Sequence, residues 1–277
     1  MPTAKRTPMR ATRQIEAAAL CATAAAICGL SGCRPNVSVG ERTCSEDGSA
    51  DVAVNEDVDA SPPITADWST GFENRFCDYR LPGGYCYPDA SGAFEVVTSP
   101  HHSGQHAAAF TVTSDDPITY QARCVRQGPL PTSAYYGAWY YVPAPATVKG
   151  SWNLFHFNGG ADWDHIDGLL DVSLINAKGG LQLVVYGPPN HAQIGNSAAA
   201  PLIQYGDWFR IQLYVERTAA TRGDVRLYQN GQQIFDATNV VIGDWTVGQW
   251  YVGNWATGLV PAASTVYVDD VSISATQ

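Results

Sequence analysis

The chain has 277 residues, of which 45% are hydrophobic, 11% aromatic and only 15% charged, so it has the material for a core and too little charge for a long disordered tail. Its 26 Gly and 17 Pro, with no sustained helical periodicity beyond the first thirty residues, exclude a helical bundle or a coiled coil. Residues 33–277 hold 12 basic and 25 acidic side chains, a net charge of −13, which excludes a phosphate-neutralising surface and hence a nucleic-acid partner.

Residues 1–14 carry Lys5, Arg6, Arg10 and Arg13, and the apolar run over residues 17–30 is too short to anchor across a bilayer but has the size of a signal h-region. The run ends in Leu30-Ser31-Gly32-Cys33, which resembles a bacterial lipobox. Residues 1–32 are therefore expected to be a cleaved signal peptide and Cys33 the lipidated first residue of the mature chain. Acyl chains would then hold the protein at a membrane with no spanning helix. Arg34 stands where an inner-membrane retention Asp would sit, so the resemblance implies an extracytoplasmic outer-membrane or cell-surface location. Residues 33–66 read as an acidic tether: Glu41, Glu46, Asp47, Asp51, Glu56, Asp57 and Asp59 alternate with small residues, end at Ser61-Pro62-Pro63 and show no period that could bury a core.

From residue 67 onward the grammar is strand and turn. Strands are expected near residues 93–99, 107–114, 118–126, 135–142, 151–158, 169–176, 180–186, 208–216, 249–256 and 265–274. Residues 224–235 add a hairpin, with Asn230-Gly231 between two alternating runs. In the 208–216 run Phe209, Ile211, Leu213 and Val215 share one face while Arg210, Gln212, Tyr214 and Glu216 share the other, the mark of a half-buried strand. A dozen short strands and no convincing helix predict an all-β domain over 67–277, an antiparallel sandwich or jelly roll. Cys44, Cys77, Cys86 and Cys124 remain after the signal and Cys33, and they allow three pairings. Cys77 with Cys86 is preferred because the two flank the turn Leu81-Pro82-Gly83-Gly84, which leaves Cys124 as a buried thiol.

Phe94-Glu95-Val96-Val97 through Ser103-Gly104-Gln105-His106-Ala107-Ala108-Ala109-Phe110 and Tyr136-Gly137-Ala138-Trp139-Tyr140-Tyr141-Val142-Pro143 resemble the opening half of concanavalin-like carbohydrate-active jelly rolls. Gly206-Asp207-Trp208-Phe209, then Asn230-Gly231, then Tyr267-Val268-Asp269-Asp270-Val271-Ser272-Ile273 are similar to the back half of the heparin-lyase-like and alginate-lyase-like sandwiches. The resemblance implies a concanavalin-like jelly-roll β-sandwich whose concave sheet binds a polysaccharide. In the lyases of this superfamily Gln or Arg neutralises a uronate carboxylate while His and Tyr move protons.

Trp152-Asn153-Leu154-Phe155-His156-Phe157 looks like the strand that carries the family's Gln-x-His, with His156 matched and Leu154 where Gln is expected. Gln249-Trp250-Tyr251-Val252-Gly253-Asn254-Trp255 aligns with the last concave strand and puts Trp255 where a catalytic Tyr stands. Thr119-Tyr120-Gln121-Ala122-Arg123 resembles the Arg-bearing strand. If the chain is a lyase, His156, Arg123, Tyr251 and Tyr141 are the catalytic candidates. Trp255, Trp152, Gln121, Trp163 and His165 are the candidates for sugar contact.

Residues 67–277 carry 10 basic and 18 acidic groups, a net charge of −8, which favours a neutral glycan over an anionic one unless Arg123 and Arg126 dominate locally. The preferred reading is therefore a lipid-anchored polysaccharide-binding protein. β-Elimination of uronate-containing glycans is the alternative, and a structural or adhesive lipoprotein a further one. No cofactor is required. By resemblance, Glu73 with Asp269 and Asp270 is a candidate set for a structural calcium.

Overall fold

The computed structural model describes residues 67–80, 83–89, 91–113, 120–162, 164–188, 190–194 and 200–277. Residues 1–66, on which the expected signal, the lipidated Cys33 and the expected tether fall, and Trp163 lie outside these residues. The elements are β1 (Asp67–Thr70), α1 (Cys77–Arg80), β2 (Gly84–Pro88), β3 (Gly92–Val97), β4 (Ala107–Thr113), β5 (Tyr120–Gly128), β6 (Ser133–Tyr141), β7 (Thr147–Asp162), β8 (His165–Ala177), β9 (Gly180–Gly187), β10 (Ala192–Gln193), β11 (Trp208–Ala219), β12 (Arg222–Gln229), β13 (Gln232–Val241), β14 (Val247–Val260) and β15 (Ala263–Ser274). Every strand expected from alternation is present. Short β1, β2 and β10 and the single turn of α1 are additional, being too brief to show a period.

All pairings are antiparallel and build two sheets. One has eight strands in the order β13-β12-β11-β6-β15-β4-β3, with β1 also paired to β15; the other has seven, in the order β10-β9-β8-β7-β14-β5-β2. The consecutive hairpins β7-β8-β9 and β11-β12-β13 sit beside strands brought in from far along the chain, as in a jelly roll. Asn230 and Gly231 take φ 52° and 79°, the left-handed pair that a two-residue hairpin turn demands.

The inner faces meet in an aromatic core. Tyr136 of β6 packs edge-on against Phe157 of β7 and Trp250 of β14 at 4.9 and 5.1 Å, and Trp245 stacks on Phe157 at 5.4 Å. Each of these side chains is buried, and leaving water is the main stabilising term for such rings.

Cys86 and Cys124 stand directly opposite each other in the β2–β5 register, with Cα atoms 4.0 Å apart, and are disulfide-bonded. The expected Cys77–Cys86 bridge is not formed, because Cys86 belongs to β2 and faces β5 while Cys77 opens α1; Cys77 is itself disulfide-bonded, and Cys124 is no free thiol.

One irregularity in the seven-stranded sheet sets the position of everything on its outer face. The β14–β7 register shifts between Val252 and Trp255, and the β7–β8 register shifts between Asn153 and Phe155. Gly253 lies at φ 142°, where an added Cβ would sit 2.4 Å from the carbonyl oxygen of Ala122. At the bulge Tyr140 reaches across from the eight-stranded sheet; its hydroxyl donates to the Leu154 carbonyl at 2.8 Å and accepts from the Gly253 N–H at 3.2 Å.

The bulge turns Trp152, Leu154 and Phe155 inward while Asn153 and His156 face outward, so Trp152 is not a sugar contact. Its indole N–H instead donates to Asn254 Oδ1 at 2.9 Å in the interior. Tyr140→Phe takes a hydrogen-bond partner from two buried backbone groups and should lower the unfolding free energy in urea by about 1–3 kcal/mol.

Candidate functional site

On the face of the seven-stranded sheet turned away from the core, strand alternation lines up polar and aromatic side chains in rows. One row runs Val125, Tyr251, His156, Asp171 and Tyr186 across β5, β14, β7, β8 and β9. A second runs Gln127, Gln249 and Asn158, and a third Gln121, Trp255, Asn153 and Ser173. An outer face that bears this many polar groups yet buries Arg123, Asn153, His156, Asp171, Gln127 and Gln249 below a tenth exposed is a furnished recess and not a solvated sheet surface.

His156 Nδ1 lies 2.6 Å from Asp171 Oδ1, and the other carboxylate oxygen of Asp171 is bonded to His191 Nε2. Asp171 is 1% exposed. Burial opposes its charge, but the hydrogen bonds from His156 and His191 prevail and hold its carboxyl at about 2. Burial likewise dominates His156 and lowers its pKa below the usual imidazole value, against the hydrogen bond from Asp171 and with help from the positive Arg123. At neutral pH the pair is therefore a carboxylate and a neutral imidazole. The Nδ1–H points at Asp171, and the Nε2 lone pair is free to accept a proton.

Tyr251 stands opposite His156 in the register, with ring centroids 5.1 Å apart. Its hydroxyl donates to Gln249 Oε1, which also places Gln249 between Tyr251 and Gln127. Burial pushes the phenol well above its ordinary value of 10, with Tyr85 and Tyr87 adding to the effect. Trp255 also meets His156 at 5.1 Å, edge to face.

The Arg123 guanidinium lies 4.3 Å from the Tyr251 ring centroid and 4.6 Å from that of Trp255. Its Nη2 donates to the Tyr87 hydroxyl at 3.0 Å, and that hydroxyl donates to Gln121 Oε1 at 3.2 Å. Among the described residues, Nε and Nη1 of Arg123 are buried without a hydrogen-bond partner, as are both side-chain polar atoms of Asn153. Buried N–H groups left unpaired beside a neutral base form a receptor for an anionic or strongly accepting ligand. Alongside, a groove of about 700 Å³ opens at His191, with Asn158, Leu169, Ile166 and Asp167 in its walls.

The structure thus brings together His156, Arg123, Tyr251, Trp255 and Gln121 of the residues expected from sequence. Tyr141 is not with them: β6 belongs to the eight-stranded sheet, where Tyr141 packs against Trp208 and Tyr267 at 5.5 and 5.8 Å. Arg126 points to the opposite side of β5 from Arg123 and donates to the Tyr79 carbonyl at 2.9 Å, so it adds no charge to the recess. His165 opens β8 opposite Asp162 of β7, with its side chain 77% exposed and bonded to Asp162.

Glu73, Asp269 and Asp270 all grip residues 102–106. Glu73 accepts from the Gln105 and His106 amides at 2.7 and 3.0 Å, Asp269 from the His102 and Ser103 amides at 2.8 and 3.1 Å, and Asp270 from Ser103 Oγ at 2.7 Å. Among the described residues no three His, Cys, Asp or Glu side chains form a metal-holding group. Asp171, His191, Asn153, Tyr87 and Gln249 were not singled out in the sequence. Strand parity was the usable signal for Gln249, and only the bulge reveals Asn153.

A family model described as polysaccharide lyase matches residues 64–272. Among solved structures, alginate lyase Aly36B is 13% identical, with 77% of this chain and 98% of that chain covered and a TM-score of 0.53. The marine PL-14 alginate lyase from Aplysia kurodai is 13% identical over 76% of this chain and 98% of its own, with a TM-score of 0.51. The cellulose induced protein Cip1 is 14% identical over 75% and 97%, with a TM-score of 0.54. At such identities the likeness is one of fold. No curated protein matches the chain.

Proposed function

The chain belongs to the polysaccharide lyase family, and from that premise we propose that it cleaves a uronate-containing glycan by β-elimination on the outer face of its seven-stranded sheet. Family membership moves the balance from the binding-only reading, which rested on Leu154 and Trp255 standing where Gln and Tyr are expected and on overall charge, to the elimination alternative. One observation carries the assignment of roles. His156 and Tyr251 face each other 5.1 Å apart, the imidazole made easier to deprotonate and the phenol harder.

The uronate carboxylate takes the unpaired N–H groups of Arg123 and Asn153, and this neutralisation acidifies the adjacent C5–H. His156 Nε2 removes that proton. The electron pair left on C5 forms the C4–C5 double bond as the C4–O bond breaks, and Tyr251 gives its phenolic proton to the departing glycosidic oxygen. Solvent then returns a proton to Tyr251 and takes one from His156. Trp255 offers an aromatic face to the neighbouring sugar, and Gln121 fixes Tyr87 and through it the guanidinium.

The net charge of −8 over residues 67–277 does not oppose this, because Arg123 brings a cation to the recess while the Asp171 carboxylate beside it is already engaged by His156 and His191. The test is to incubate the full chain with polymers of glucuronate, mannuronate and guluronate and with neutral glucans while following the ultraviolet absorbance of the unsaturated uronate. A rise on one uronate polymer supports the proposal. No rise on any of them, with retention of a neutral glycan that Trp255→Ala abolishes, restores the binding-only reading.

The enzyme would be displayed outside the cytoplasm by acyl chains on Cys33, supported by the basic, apolar and small-residue order of the first 33 residues. In cells grown on labelled palmitate, the wild-type chain should take up label and partition with the membrane. Cys33→Ala should do neither.

A further inference from the structure

Asp171 is used twice. Of its two oxygens, Oδ1 takes His156 Nδ1 at 2.6 Å, and Oδ2 is bonded to His191 Nε2. His191 lies far less deep, with its side chain 45% exposed, in the β9–β10 connection where the groove begins. Its backbone takes φ 48°, in the left-handed region, at the turn between β9 and β10. Tyr186, Asp171's partner in the β8–β9 register, supports the ring at 5.3 Å. A carboxylate with one histidine partner can turn about its own bond and carry that histidine with it. With both oxygens occupied by rings on different elements, it cannot turn without breaking the second contact.

We propose that His191 is a positioning residue for the elimination: through the shared Asp171 carboxylate it locks the ring plane and the Nδ1–H tautomer of His156, and it couples that lock to the wall of the groove. The inference rests on the reading of His156 as the base. Charged and titratable groups face this assembly from every side: Arg123 of β5 and Tyr251 of β14 over His156, Tyr186 of β9 under His191, and Asp167 of β8 in the groove wall. Removing His191 frees Oδ2 and takes away a nearby positive charge. Both changes make His156 easier to protonate, so the acidic limb of the rate profile moves to higher pH.

The experiment combines two readouts on the full chain. In side-chain nitrogen NMR, wild-type His156 should show protonated Nδ1 and bare Nε2 at neutral pH, and His191→Ala should show exchange between tautomers. On the uronate polymer, His191→Ala should lower kcat by about 10- to 100-fold with a smaller change in KM and should shift the acidic limb upward. His191→Gln, whose amide can still donate to Oδ2, should recover most of the rate. The proposal is overturned if His191→Ala leaves the His156 signals and kcat unchanged, or if only KM responds, as it would for a residue that merely shapes the groove. If no uronate polymer is turned over, the lyase reading fails, and the NMR result alone still decides whether His191 fixes His156.

Discussion

His156→Ala should reduce kcat on the uronate polymer by about 10³-fold, equivalent to about 4 kcal/mol of barrier, because it removes the neutral imidazole assigned to take the C5 proton. Tyr251→Phe removes the proton donor and should cost a similar factor while leaving the ring stack on Arg123 in place. The pH dependence follows from the two environments. The base acts when neutral, so rate is lost as pH falls through the His156 value, which burial sets below 6.5. The acid acts when protonated, and burial holds Tyr251 well above 10, so no alkaline loss is expected in the ordinary working range. A kcat/KM profile that rises on the acidic side and then stays flat checks both assignments. A fall between pH 7 and 9 would contradict the role given to Tyr251.

Arg123→Ala should be the second severe change, lowering kcat/KM by about 10²- to 10³-fold, since an uncompensated carboxylate beside C5 resists a further negative charge. The loss should fall on kcat as well as KM, because charge on the carboxylate grows as the proton leaves. Arg123→Lys retains the cation but loses the planar fork that lies between the Tyr251 and Trp255 rings and reaches Tyr87, so intermediate activity is expected. Arg123 is buried and contacts three aromatic rings, so thermal melts of both variants separate lost chemistry from lost fold. A melting temperature near wild type with a collapsed rate is the expected pattern.

The fold was legible because its strands are long and half-buried, which is the condition for alternation to appear in sequence. The run Phe209 to Glu216 shows it in β11, and Asn230-Gly231 marks the β12–β13 turn. The site was legible only where alternation continues unbroken. Simple alternation counted from His156 places Trp152 and Leu154 on the same face as it. The bulge that Gly253 and Tyr140 sustain reverses that parity, burying both and exposing Asn153 to the recess. Leu154, at the position expected to carry the family's Gln, is therefore a core residue, and Asn153 is the amide turned toward the recess. Tyr141 shares the aromatic character of Tyr251, but which of two sheets a strand joins is a matter of long-range pairing. Asp171 and His191 carry no local signal either, since their meeting with His156 depends on the β7–β8–β9 register. Cys86 and Cys124 are 38 residues apart, and short β2 alone places them side by side.

The most direct test of the central claim is the mass of the products that wild type, His156→Ala, Arg123→Ala and Tyr141→Phe release from one uronate polymer. Elimination creates new ends that are lighter by one water than those of hydrolysis. Wild type and Tyr141→Phe should yield such dehydrated oligosaccharides at similar rates, while His156→Ala and Arg123→Ala leave the polymer intact. Products of full hydrolytic mass, or dehydrated products that persist in both recess variants, would show that the outer face of the seven-stranded sheet does not perform the elimination assigned to it.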